Sequence, residues 1–91
     1  MKKTLLYDTR TAAAQGGDML HLEYFLLAED APDGTTRYGI AIGCTRAGAA
    51  AEWARAADVT SCRAWAEALL RRLADGVVTP VSLREILEDA L

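Results

Sequence analysis

The sequence predicts an α+β domain, a small antiparallel sheet of three or four strands followed by two C-terminal helices. Two patterns carry that reading. Between Met19 and Thr45, large residues alternate with a period of two on both sides of a Pro-Asp-Gly turn. From Thr60 onward, apolar residues recur with the helical period and are interrupted once, at Thr79-Pro80. Their order predicts a single domain over residues 1–91, in which 1–18 are partly flexible, 19–58 form the sheet and 59–91 form the helix pair.

The first element is a short strand over Thr4 to Thr9, after which Arg10 to Asp18 reads as a flexible connection because small residues, Gln15, Gly16 and Gly17 crowd it. The next is a strand over Met19 to Glu29, with Leu20, Leu22, Tyr24, Leu26 and Ala28 on one face and His21, Glu23, Phe25 and Leu27 on the other. A third, from Arg37 to Thr45, puts Tyr38, Ile40, Ile42 and Cys44 on one face and Gly39, Ala41 and Gly43 on the other.

The large faces of these two strands both fall on even numbers, so an antiparallel pair that aligns them must join residues whose numbers have an even sum. A three-residue loop of Pro32, Asp33 and Gly34 meets the condition, with proline presetting φ and glycine taking the left-handed final position. It pairs Leu26 with Ile40, Tyr24 with Ile42 and Leu22 with Cys44.

Ala47 to Asp58 is open to two assignments. Its alanines favour helix, while its place after a turn at Gly48 suits a further strand. Cys62, Trp65, Ala66, Leu69, Leu70 and Leu73 then form a helical stripe that Thr60 or Ser61 can cap and Gly76 can end. Thr79-Pro80 starts a second helix, with Leu83, Ile86, Leu87, Ala90 and Leu91 on one face.

Tyr38-Gly39-Ile40, the entry Asp58-Val59-Thr60 and the closing VTPVSLREILEDAL resemble a group of small uncharacterised clostridial (Firmicutes) proteins, the domain-of-unknown-function family numbered 6514. The resemblance covers roughly residues 20 to 91 and is densest from Val78 to Leu83. It implies a bacterial cytoplasmic protein with no assigned activity. It also implies a strand at Ala49 to Ala57, since members place one before the helix; the alanine load and the absence of lysines there depart from the family pattern.

Composition excludes more than it assigns. A net charge of -3 and 52% hydrophobic residues fit one modest core. The chain has no apolar run long enough for a membrane span, and Asp8 interrupts the short run behind the N-terminal lysines before it could serve as a signal core. Cys44 and Cys62 are therefore expected as reduced thiols in a cytoplasmic protein, and with one histidine no metal or other cofactor is expected.

His21 and Glu23 share a strand face, and a carboxylate can tune a histidine base, but no nucleophile stands beside them in sequence. A small enzyme centred on His21 is thus the third-ranked reading. The second is a DNA-associated regulator using the terminal helix pair. Against it, Arg63, Arg71, Arg72 and Arg84 face Glu67, Asp75, Glu85, Glu88 and Asp89, whereas phosphate binding draws on clustered cations. The leading reading is a non-enzymatic interaction or accessory module that acts as a homodimer, because one helix pair covers only one face of a small sheet. The interface residues it names are Phe25, Leu27, Gly39, Ala41 and Trp53. For Trp53 and Trp65 the core is the favoured reading over an interface hot spot, and burial separates the cases.

Overall fold

The computed structural model describes residues 2–13, 17–46, 49–80, 82–83 and 85–86. Four strands, β1 (Lys2–Ala13), β2 (Met19–Asp30), β3 (Thr36–Arg46) and β4 (Glu52–Thr60), precede one helix, α1 (Arg63–Asp75). Each strand pairs antiparallel with the one before it, giving the order β1-β2-β3-β4. The α+β class stands.

The β2–β3 hairpin has the even-sum register, with Leu26 opposite Ile40, Tyr24 opposite Ile42 and Leu22 opposite Cys44. Its loop closes as the turn chemistry requires. Gly34 takes φ +87°, and the Ala31 N–H donates to the Thr35 carbonyl at 2.7 Å. The Asp33 carboxylate accepts from the Thr35 hydroxyl and the Thr35 N–H, and these bonds hold its pKa below the usual carboxylate value.

The first strand is longer than the sequence suggests. Thr9, Arg10, Thr11, Ala12 and Ala13 find partners in Glu23, Leu22, His21, Leu20 and Met19, so the expected connection from Arg10 is strand as far as Ala13. The threonines there suit a pleated surface, and β2 offers an unpaired edge to extend along. A bulge at Tyr7, between Leu6 and Asp8, shifts the register once. The alanine-rich segment that admitted helix or strand contains β4; the turn expected at Gly48 lies outside the described residues.

The core lies between one sheet face and α1. Leu22, Tyr24, Leu26, Ile40, Ile42 and Cys44 meet Ala66, Leu69, Leu70, Leu73 and Ala74 of the helix, with Leu83 added from beyond it. Each large side chain buried this way is worth ~1.5–3 kcal/mol relative to exposure. Arg10 reaches from β1 to Asp75 at 3.2 Å, tying the sheet edge to the end of α1.

The expected helix pair is corrected to this single helix. Beyond Asp75 the chain leaves in a Schellman arrangement, in which Val77 N–H donates to the Ala74 carbonyl and Val78 N–H to that of Leu73. Gly76 keeps a right-handed φ and Val77 takes the left-handed position at φ +50°, so the glycine expected to turn the chain is one residue early. The Tyr24 hydroxyl then donates to the Val78 carbonyl at 2.9 Å, and Pro80 brings no N–H to continue a ladder. The described remainder starts with a turn closed by Ser82 N–H on the Thr79 carbonyl and is held by Leu83 and the half-buried Ile86. Residues 81, 84 and 87–91, with the rest of the expected second stripe, lie outside the described residues.

The start of α1 is also corrected. Cys62, expected to open the apolar stripe, is exposed and occupies the N-cap without a side-chain cap bond. Its N–H donates to the Thr60 hydroxyl at 3.0 Å, so Thr60 organises the turn ahead of the helix instead of capping it.

Three outcomes follow from this architecture. Cys62→Ser gives an extended N-cap residue the hydroxyl acceptor it lacks and is expected to raise stability by ~1 kcal/mol in urea titrations. Gly39 is unpaired where β3 and β4 slip register; a Cβ there would stand 2.3 Å from the Ala56 carbonyl oxygen and 2.8 Å from the Ala57 Cα. Gly39→Ala must therefore displace backbone, and a loss of at least ~2 kcal/mol is expected in the same assay. The third concerns Tyr24, whose phenol is pushed up to about 12 chiefly by desolvation, with the nearby Arg10 opposing. A phenol with a raised folded-state pKa stabilises the fold fully below its ordinary value of ~10 and loses that contribution as pH climbs toward the folded value. The urea midpoint is thus expected to fall between pH ~10 and ~12, and Tyr24→Phe to flatten that part of the profile.

Candidate functional site

The second face of the sheet is free of α1. Directly paired residues share a face, so the registers write its surface row by row. Thr4, Leu27 and Gly39 form one row; Leu6, Phe25, Ala41 and Arg55 the next; Thr9, Glu23, Gly43 and Trp53 the third; Thr11, His21 and Thr45 the fourth.

Trp53 is the ridge of this face. It leaves β4 beside Gly43, whose missing side chain lets the indole lie on the neighbouring strand; a Cβ on Gly43 would come within 2.8 Å of the ring. The indole extends toward Phe25, with centroids 5.5 Å apart and planes inclined by 34°, within the preferred range for aromatic pairs. It remains 58% exposed, and Leu6 on β1 is 56% exposed. Burial thus separates Trp53 from the core, and Trp65 on α1 is partly exposed as well.

One row beyond Phe25 the surface dips. Leu27 floors a concavity of about 260 Å³, with Gly39, overlain by the β4 backbone, and Arg55 and Ala57 on one side and Lys2, Glu29 and Arg37 toward the hairpin. Two irregularities shape it: the bulge opposite Gly39 and the left-handed backbone of Asp58 at φ +58°. The Asp58 carboxylate accepts from Arg37, holding that guanidinium at the rim. Bulges re-aim side chains and backbone in this way at sheet edges.

All five residues named from sequence are therefore neighbours on one face. Phe25 and Leu27 are half-buried, Gly39 and Ala41 are buried in the surface's low ground, and Trp53 stands proud. Sequence reasoning missed Leu6 and Arg55. Leu6 joins the face through a register that depends on the bulge at Tyr7, and Arg55 through the assignment of β4 as a strand; each had an apolar or alternating context but no turn signal to anchor it. His21 is exposed on the fourth row and makes no hydrogen bond with Glu23 among the described residues. Cys44 is buried in the core, where desolvation pushes its thiol pKa up; Cys62 is exposed at the helix start. Among the described residues no cluster of three or more histidine, cysteine or carboxylate side chains is placed to hold a metal ion. No helix is long and apolar enough to cross a membrane among these residues.

No curated protein and no solved structure matches the chain. A family model does match, over residues 2–91, and its description is a family of unknown function, DUF6514. With almost the whole length matched, the chain belongs to this family of unknown function, DUF6514.

Proposed function

We propose that this protein is a non-enzymatic interaction module, accessory to or regulating another process, that docks a protein on the sheet face left free by α1. The observation that carries the reading is Trp53, more than half exposed yet reaching inward from the edge strand β4 to pack on Gly43 and Phe25, on a face that also bears Leu6 and Leu27. Tryptophan dominates binding hot spots, and apolar groups gathered on one face mark interaction surfaces. In this reading the protein works in a bacterial cytoplasm, in the setting of the clostridial proteins it resembles; two free thiols, one of them exposed, suit a reducing compartment. Neither the enzyme centred on His21 nor the DNA regulator draws on a comparable observation.

Photo-crosslinking tests the reading. A photoreactive residue at Leu6, on the free face, is expected to give discrete protein adducts in cells, and one at Arg71, on the exposed side of α1, to give none. Phe25→Glu is expected to abolish the adducts while leaving the chain folded, at a cost of ~1–2 kcal/mol in unfolding stability for its packing against Trp53. No adduct from position 6, or a chain unfolded by Phe25→Glu, overturns it.

A further inference from the structure

The free face holds both a projection and a recess, and their spacing is regular. Trp53 rises from the row on one side of Phe25–Ala41–Arg55; the Leu27–Gly39 dip lies in the row on the other side. Each is two residues from the middle row, ~7 Å along the strands. A two-fold axis lying over the middle row, across the strands, therefore brings the Trp53 row of one copy onto the Leu27–Gly39 row of another, and the reverse.

We infer that the occupant of this face is a second copy of the same chain, with each Trp53 seated in the partner copy's Leu27–Gly39 recess. The inference rests on the reading of the face as a docking surface and names its partner. Four features support a second copy over another ligand. The recess, at about 260 Å³, lies below the ~300–1,000 Å³ of small-molecule sites and is of the scale of one large side chain. The indole leans from β4 across β3 toward β2, the strand that supplies Leu27, so the two-fold points its outer edge into the recess beside the partner copy's Ala57. Arg55 lines the recess and would meet the incoming ring as a cation against an aromatic face. The same operation sets the Glu29 carboxylate, at the hairpin end, over the His21 ring of the other copy at the far end, where an imidazole N–H can donate to it, a contact made twice. The two Arg55 side chains come level at the sheet margin, where water screens them.

Size is adequate. Four strands ~4.8 Å apart and roughly nine residues long present ~600 Å², close to the ~800 Å² per partner of standard interfaces. Such an interface is isologous and closes at two copies.

Sedimentation of the full chain over a range of concentrations, with three variants, tests the pairing. Trp53→Ala removes the projection, and Leu27→Trp fills the recess. Each is expected to raise the dimer dissociation constant at least ten-fold. A 1:1 mixture of the two is expected to return to within a few-fold of the parent, because one copy then offers an empty recess and no projection while the other offers a projection and a filled recess. If Leu27→Trp does not fold, Ala57→Trp fills the same recess from an exposed position. A parent chain that stays monomeric up to several hundred micromolar, a dimer indifferent to both changes, or a mixture without rescue overturns the inference. A monomeric parent that still gives adducts of another mass from position 6 sinks the homodimer and leaves the docking face standing. Loss of every adduct removes both.

Discussion

The even-sum register between β2 and β3 is the constraint from which the other contacts follow. It sends Leu22, Tyr24 and Leu26 to the same side as Ile40, Ile42 and Cys44, and thereby decides where α1 can bury its stripe. A slip of one residue would bring Glu23 and Glu29 beside Cys44 and Tyr38 and carry Leu22, Tyr24 and Leu26 to the side away from Ile40 and Ile42, splitting the apolar strip that the helix covers. Three residues enforce the register locally: Pro32 sets one φ, Asp33 bonds Thr35, and Gly34 takes the conformation that others avoid. Because the turn is independent of the core, a local signal and a global one agree, as expected of a sequence that specifies one fold.

That agreement explains which parts were legible. The β2–β3 hairpin and the stripe of α1 each rest on a repeating pattern; the hairpin is where the pattern puts it, and of the stripe Ala66, Leu69, Leu70 and Leu73 are buried while Cys62 and Trp65 are exposed. The failures sit where geometry depends on partners. Nothing between Lys2 and Ala13 announces a bulge at Tyr7; the extra residue is visible only once β2 is laid beside it. The end of α1 misled for a different reason. Gly76 is the residue most suited to left-handed backbone, yet Val77 adopts it, because the turn that brings Val78 under Tyr24 needs its kink one position later. Anchoring to the core overrides local preference there. Beyond that turn Leu83 and Ile86 pack on the core as the expected stripe requires, and the rest of that stripe lies outside the described residues.

Phe25, Leu27, Gly39 and Ala41 were legible on the free face for a simpler reason, whereas Trp53 lay in a segment open to helix or strand. Alternation assigns sides of a strand without any knowledge of tertiary structure, and a large apolar side chain opposite the core strip is conspicuous on either side. Relief was not legible. That Trp53 lies across Gly43, and that the backbone of Ala56 and Ala57 crowds Gly39, depends on how β4 rides over β3 after its register shift. Two glycines on one strand thus do different work, one accepting a ring and the other accepting backbone.

The meander order also has a consequence for biosynthesis. Every strand pairs with the one made just before it, so the sheet can assemble progressively as the chain emerges, with short loop closures at each step. The cover comes last. Until α1 and Leu83 have left the ribosome, both sides of the sheet are wet, and the side bearing Tyr24, Ile40 and Ile42 is the more hazardous. The nascent chain passes through a stage with a finished sheet and no interior, the kind of species that chaperones retain and proteases sample.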